Sequence, residues 1–142
     1  EGLMQTAHAA FGEAVLLDFH SMPHEALDAV ARPGRPRPQV VLGDRFGASA
    51  AGEILDALED GFLGEGLSVI RNAPFAGAFV TQHYGRPSRG WHAVQIEIDR
   101  GLYMDERTLR PHADFDRLRE MITRVISRVI IARPGRVPLA AQ

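Results

Sequence analysis

The chain is 142 residues long, 45% hydrophobic and 24% charged, with a formal net charge of −2 and no cysteine. That is a one-domain length with ordinary globular composition, and it excludes disulfides, thiolate zinc sites, a cysteine nucleophile and a global basic field for nucleic acid. All 16 basic residues are Arg, which also removes Schiff-base and P-loop lysine chemistry.

Residues 3–11 read as a helix, with Leu3, Met4, Ala7, Ala10 and Phe11 at helical spacing and Gly12 as a C-cap. Ala14 to Leu17 is a continuous apolar run, which fits a short strand covered on both faces. Residues 21–38 read as loop, broken by Pro23, Pro33, Pro36 and Pro38. Val40 to Leu42 is a second strand, and Gly43 to Gly47 a turn. Ser49 is expected to cap the next helix, which runs to about Leu63 with Ile54, Leu55, Leu58 and Phe62 on one face. Leu67 to Ile70 is a third extended segment. Residues 71–89, rich in Gly, Pro and aromatics, read as a long functional loop.

His92 to Ile98 is the clearest strand. His92, Val94, Ile96 and Ile98 share one face; Ala93, Gln95, Glu97 and Asp99 share the other. Asp114 starts the last helix, whose stripe is Phe115, Leu118, Ile122, Val125, Ile126 and Val129. Arg117, Arg124 and Arg128 lie away from that stripe and read as a solvated face. Alternating strands and helices indicate an α/β fold, with residues 1–142 as a single domain. About four strands is thin for such a fold, so strands are expected to be missing on the N-terminal side. Glu1 stands where a starting Met would, and is expected not to be the native start. No apolar run reaches the roughly 20 residues of a membrane span, and there is no signal-peptide pattern. A cytoplasmic protein with no membrane or nucleic-acid partner is expected.

Asp18-Phe19-His20-Ser21 follows the first apolar run, and active residues of open α/β sheets collect beyond strand ends. His20 suits a metal ligand, with Asp18 on the same side able to fix its tautomer. It equally suits a structural His closing the strand. His24 lies one helical turn further on, but Pro23 argues against a helix there, so His20 alone is favoured as the ligand. Glu97, among Val94, Ile96 and Ile98, can serve as a general base; alternation also allows a Glu on a solvated sheet face. Arg45, Arg71 and Arg86 fall near strand ends, and as a group they suggest a small anionic substrate.

These segments together resemble the N-formylglutamate amidohydrolase family. The likeness rests on residues 17–23 (LDFHSMP), 41–47 (VLGDRFG) and 72–77 (NAPFAG). It continues through Thr81, 84–87 (YGRP), 92–98 (HAVQIEI) and 102–106 (LYMDE), in family order. It implies a zinc-dependent exopeptidase-like (phosphorylase/hydrolase-like) fold, a mixed sheet flanked by helices. This chain would be its C-terminal portion, incomplete on the N-terminal side. The implied activity is hydrolysis of N-formyl-L-glutamate to formate and glutamate, as in histidine degradation. The resemblance makes His20 the third ligand of a zinc, or another divalent metal, and Glu97 the carboxylate that activates water. Arg45, Asn72 and Arg86, with Tyr84 beside them, become candidates to grip the substrate. The family's N-terminal His-Ser-Gly segment and acidic ligand are absent here, and a catalytic zinc normally has three protein ligands. Ala78 stands where Gly is frequent, and Phe75 or Phe79 where Tyr is frequent. A related N-acyl acidic amino acid as substrate, or a non-catalytic small-acid-binding or assembly module, are the alternatives. Exposed sheet surface is expected to drive association, as a homo-oligomer or with a complementing N-terminal segment.

Overall fold

The computed structural model describes residues 2–131. The helices are α1 (Gly2–Phe11), α2 (Gly52–Gly64), α3 (Phe79–Tyr84) and α4 (Phe115–Ile131). The strands are β1 (Ala14–Met22), β2 (Val40–Gly43), β3 (Val69–Arg71), β4 (Trp91–Asp99), β5 (Met104–Asp105) and β6 (Arg110–Pro111). The four longer strands make one mixed sheet in the order β1-β4-β2-β3. β4 runs parallel to β1 and antiparallel to β2, and β2 runs parallel to β3. A two-stranded β5-β6 ribbon stands apart.

The two faces follow from alternation along β4. Val94, Ile96 and Ile98 join Val40 and Leu42 of β2 in one apolar layer, under α2 and α4. α2 contributes Ile54, Leu55, Leu58 and Phe62; α4 contributes Leu118, Met121, Val125 and Val129. The opposite face carries a smaller apolar cluster of Met22, Leu27 and Val41, with Ile70 and Phe75 packed on it. The same face carries Asp18, His20, Gln95, Glu97 and Asp99.

Four expectations are corrected. β1 continues five residues past Leu17 because the register with β4 holds from Ala14 to Met22; His20 is inside the strand rather than beyond it. β1 is also an edge strand among the described residues and only half-buried, not covered on both faces. The 71–89 region contains α3, whose C-terminus is closed by Gly85 N–H donating to Thr81 O at 3.0 Å. Ser49 does not cap α2: its hydroxyl donates to Ala93 O at 2.8 Å, and Ala51 is the N-cap residue.

Instead, Ala51 N–H donates to His92 Nδ1 at 3.2 Å. That leaves the ring proton on Nε2, which faces Glu13 at 3.7 Å. In α4, Phe115 is 42% exposed and Met121 takes a buried place in the stripe. At the end of α2, Gly66 adopts φ +83° and Leu67 N–H reaches back to Phe62 O, the left-handed cap that glycine permits.

Arg124 and Arg128, read as a solvated face, both pair with Glu65, at 2.8 and 3.4 Å. The hydrogen bond from Arg124 holds the Glu65 carboxyl below its ordinary value, with both guanidinium charges adding to the effect. This clamp joins the end of α2 to α4. A depressed carboxylate stabilises the fold above the usual glutamate range, about 4–5, and the contribution is lost as pH falls through the depressed value. Carbon-13 titration of the Glu65 carboxyl should therefore give a midpoint below that range, moving up towards it in Arg124→Gln, where Arg128 remains. In the core, Phe62 is fully buried between sheet and helices. Phe62→Ala should cost about 3–5 kcal/mol in urea unfolding; a cost below about 1 kcal/mol would mean that α2 does not seal the sheet.

Candidate functional site

The register of β1 on β4 sets His20 beside Glu97, Asp18 beside Gln95 and Met22 beside Asp99. All six lie on the face away from α2 and α4. Glu97 is 7% exposed and Gln95 5% exposed, so this is not a solvated sheet face. Gln95 Nε2 donates to Glu97 Oε1 at 2.8 Å. At its other end Gln95 Oε1 accepts from Ala78 N–H at 2.9 Å.

His20 is half-exposed, and its Nε2 lies 2.9 Å from Asp18 Oδ2. The contact is short but not aligned as a hydrogen bond, and Asp18 Oδ2 is buried without a hydrogen-bond partner. A buried carboxylate oxygen left without a partner costs about 1–3 kcal/mol or more. A cation at this pair would satisfy both atoms, so the donors fit a metal ion. Among the described residues no group of three His, Cys, Asp or Glu side chains is placed to hold one.

His24, set aside as a ligand in the sequence, has its own partner. Its Nδ1 is 2.7 Å from Asp99 Oδ2, and Asp99 Oδ1 accepts from Gly101 N–H at 2.9 Å. The buried Met22-Leu27-Val41 cluster occupies the same face, with Met22 and Val41 in register with Asp99 and Glu97.

The other wall is a polar turn. Arg45, Phe46 and Asn72 all adopt left-handed backbone, with φ of +56° to +57°, a conformation that costs a non-glycine residue on the order of 1–3 kcal/mol. Asn72 holds it in place. Its Oδ1 accepts from Asp44 N–H at 3.1 Å and from Phe46 N–H at 3.2 Å, and its Nδ2 donates to Asp44 Oδ1 at 2.8 Å. Asp44, itself buried, accepts from Gly47 N–H through Oδ2. Arg45 N–H donates to Ala76 O at 2.7 Å, which ties the turn to the loop that ends at Ala78. That loop lies directly on Gly43: a Cβ there would stand 2.7 Å from the Ala76 carbonyl carbon.

The sequence candidates therefore separate. His20 and Glu97 come together, and Arg45 sits half-buried in the turn bonded to the loop that touches Gln95. Asn72 serves the turn. Arg86 pairs its backbone with Trp91, six residues from Glu97 along β4, or about 20 Å at the usual rise of a strand. Its guanidinium donates to Gln82 O and Gly85 O and so closes the end of α3. Half-buried Tyr84 stands edge-on to His83 at the same end. The Arg86 backbone is thus remote from Glu97, contrary to the expected grouping. Arg71 leaves the group as well. It lies on the α2 side, ion-paired with Asp56 and Glu59. Burial pulls its pKa down, but the hydrogen bonds to those two acids outweigh this and hold it above the ordinary value.

Gln95 was the residue missed. Its signal was a lone amide between Ala93 and Glu97 on one side of an otherwise apolar strand, a side that alternation alone also allows to be solvated.

The fold and this face define an α/β domain whose mixed sheet carries a buried polar constellation on the side opposite its helical core. The chain belongs to the N-formylglutamate amidohydrolase family, whose model matches residues 1–104. It is 38% identical over 104 residues to the N-formylglutamate deformylase of Pseudomonas aeruginosa, covering 70% of this chain and 36% of that protein. It is 36% identical over 102 residues to the deformylase of Pseudomonas putida, covering 68% and 35% respectively. The crystal structure of N-formylglutamate amidohydrolase from Ralstonia eutropha superposes with a TM-score of 0.78 at 32% identity, over 90% of this chain and 45% of that one. The chain thus spans about a third of the length of the curated relatives it matches. Among the described residues no helix is long and apolar enough to cross a membrane.

Asn72→Ala removes three hydrogen bonds from a strained turn. It should cost about 1–3 kcal/mol and speed amide exchange at Phe46, read by NMR; unchanged exchange there would mean that the turn stands without it.

Proposed function

We propose that this chain forms part of an amidohydrolase that cleaves N-formyl-L-glutamate, or a related N-acyl acidic amino acid, to the acid and the free amino acid. The in-register pairing of His20 with Glu97 on a buried polar face carries the reading. Deformylases among the relatives support the substrate class. The zinc-dependent exopeptidase-like fold and the place in histidine degradation belong to the same proposal.

His20, with Asp18 against it, is the chain's contribution to a metal site. A zinc ion held there would supply a Lewis acid for the formyl carbonyl. These two donors alone do not complete a catalytic zinc site, which normally has three protein ligands. Glu97 takes a proton from the attacking water and returns it to the departing amine. Arg45 is suited to grip a substrate carboxylate by a charge-assisted pair. The alternative, a small-acid-binding or assembly module, draws on one observation: no three candidate ligands converge among the described residues.

Formate release by the full-length, zinc-loaded protein decides between them. Glu97→Gln should lower kcat at least about 100-fold, and His20→Ala should lower both activity and bound zinc. Wild-type activity in both variants would overturn the assignment. Comparing formyl, acetyl and succinyl amino acids would fix the acyl group.

A further inference from the structure

We infer that Gln95 is a positioning residue that presents the Glu97 carboxylate and ties it to the loop ending at Ala78. The inference rests on the reading of Glu97 as the base and goes beyond it.

The direction of the amide is fixed by chemistry. A backbone N–H can only donate, so the Gln95 atom facing Ala78 N, at 2.9 Å, is the oxygen. The amide nitrogen is then the end that meets Glu97 Oε1 at 2.8 Å. An NH₂ group can only donate, so it selects an unprotonated oxygen at Oε1. The proton that Glu97 accepts and releases is thereby directed to Oε2. Both side chains are buried, so water does not readily replace either hydrogen bond. Facing Glu97 are His20, in register on β1, and Val41, in register on β2, with Gln95 and Asp99 on either side along its own strand.

The other end of the link is equally constrained. Ala78 is the N-cap residue of α3. The preceding loop is pressed on Gly43, which is itself in register with Gln95. It is also bonded to Arg45 N–H through Ala76 O. A shift of the Arg45 turn on capture of an anionic substrate has a short covalent and hydrogen-bonded path to the base: Ala76, Ala78, Gln95, Glu97.

Two substitutions in the full-length, zinc-loaded protein separate positioning from mere support of the loop. Gln95→Glu keeps an acceptor for Ala78 N–H but removes the donor to Glu97. It should lower kcat for formate release at least about 30-fold, leave KM within about 3-fold and leave Ala78 amide exchange unchanged. Gln95→Met removes both bonds; it should lower kcat, raise KM and speed Ala78 exchange at least about 10-fold. Wild-type kcat in Gln95→Glu overturns the positioning role, and unchanged Ala78 exchange in Gln95→Met overturns the loop link. A third readout needs no turnover: Glu97→Gln should move the Gln95 side-chain amide proton resonances, and an unmoved pair overturns the inference. A wild-type protein that releases no formate defeats the reading of Glu97 as base, while the resonance and exchange measurements still decide the link.

Discussion

Everything on the polar face depends on the register of β4. This strand is bonded on both sides, parallel to β1 and antiparallel to β2. A slip of one residue would turn Gln95, Glu97 and Asp99 into the layer under α2 and α4, and Val94, Ile96 and Ile98 out of it. Burying three polar side chains without partners would cost several kcal/mol by ordinary desolvation values. The apolar alternation that fastens α2 and α4 to the sheet is therefore also what aims the candidate base away from them. Stability and site geometry are set by the same odd and even positions.

The second constraint is the seating of the loop on β2. Gly43 admits the Ala76 backbone at a distance where any side chain would collide, and the Asp44-Asn72 pair holds three residues in left-handed backbone beside it. Strain of this kind persists only where surrounding bonds over-determine it. Here those bonds come from buried or half-buried polar groups that have few alternatives. Asn72 satisfies two backbone donors of the turn at once, and the turn is linked to Gln95 through the loop's Ala78 N–H.

Much of this was legible in the chain, and the reasons for success and failure are local. The β4 pattern of alternating Val, Ile and polar residues is two-fold and strong, and its two faces follow directly from it. His20 and Asp18 on one side of β1 follow from the same periodicity. The length of β1 did not, because Asp18, His20 and Ser21 read as the end of an apolar run, whereas pairing with β4 carries the strand to Met22. α3 hid in a stretch whose glycines and prolines mark its ends rather than its absence. Ser49 looked like a cap because Ser usually is one, but its hydroxyl found Ala93 across the sheet. Arg86 and Asn72 became candidate substrate contacts through the family resemblance; the pairing with Trp91 and the bonds to Asp44 give them their places in the fold. A solvated Glu97 and a buried one share the same spacing; what distinguishes them is tertiary, the loop bonded to Gln95 and the Met22-Leu27-Val41 cluster on the same face.

The half-exposed His20 and the half-buried β1 have one further consequence. Asp18 Oδ2 is a buried acceptor without a hydrogen bond, on a strand whose outer edge is unpaired among the described residues. A fold that spent such a carboxylate only on stability would gain by replacing it with an apolar residue of similar size. The Asp18 oxygen stands 2.9 Å from an imidazole nitrogen, beside the strand position that carries the buried, oriented Glu97. The polar face therefore reads as two pieces with different degrees of closure: a carboxylate already held by Gln95, and a histidine-carboxylate pair with an unsatisfied oxygen at the sheet edge.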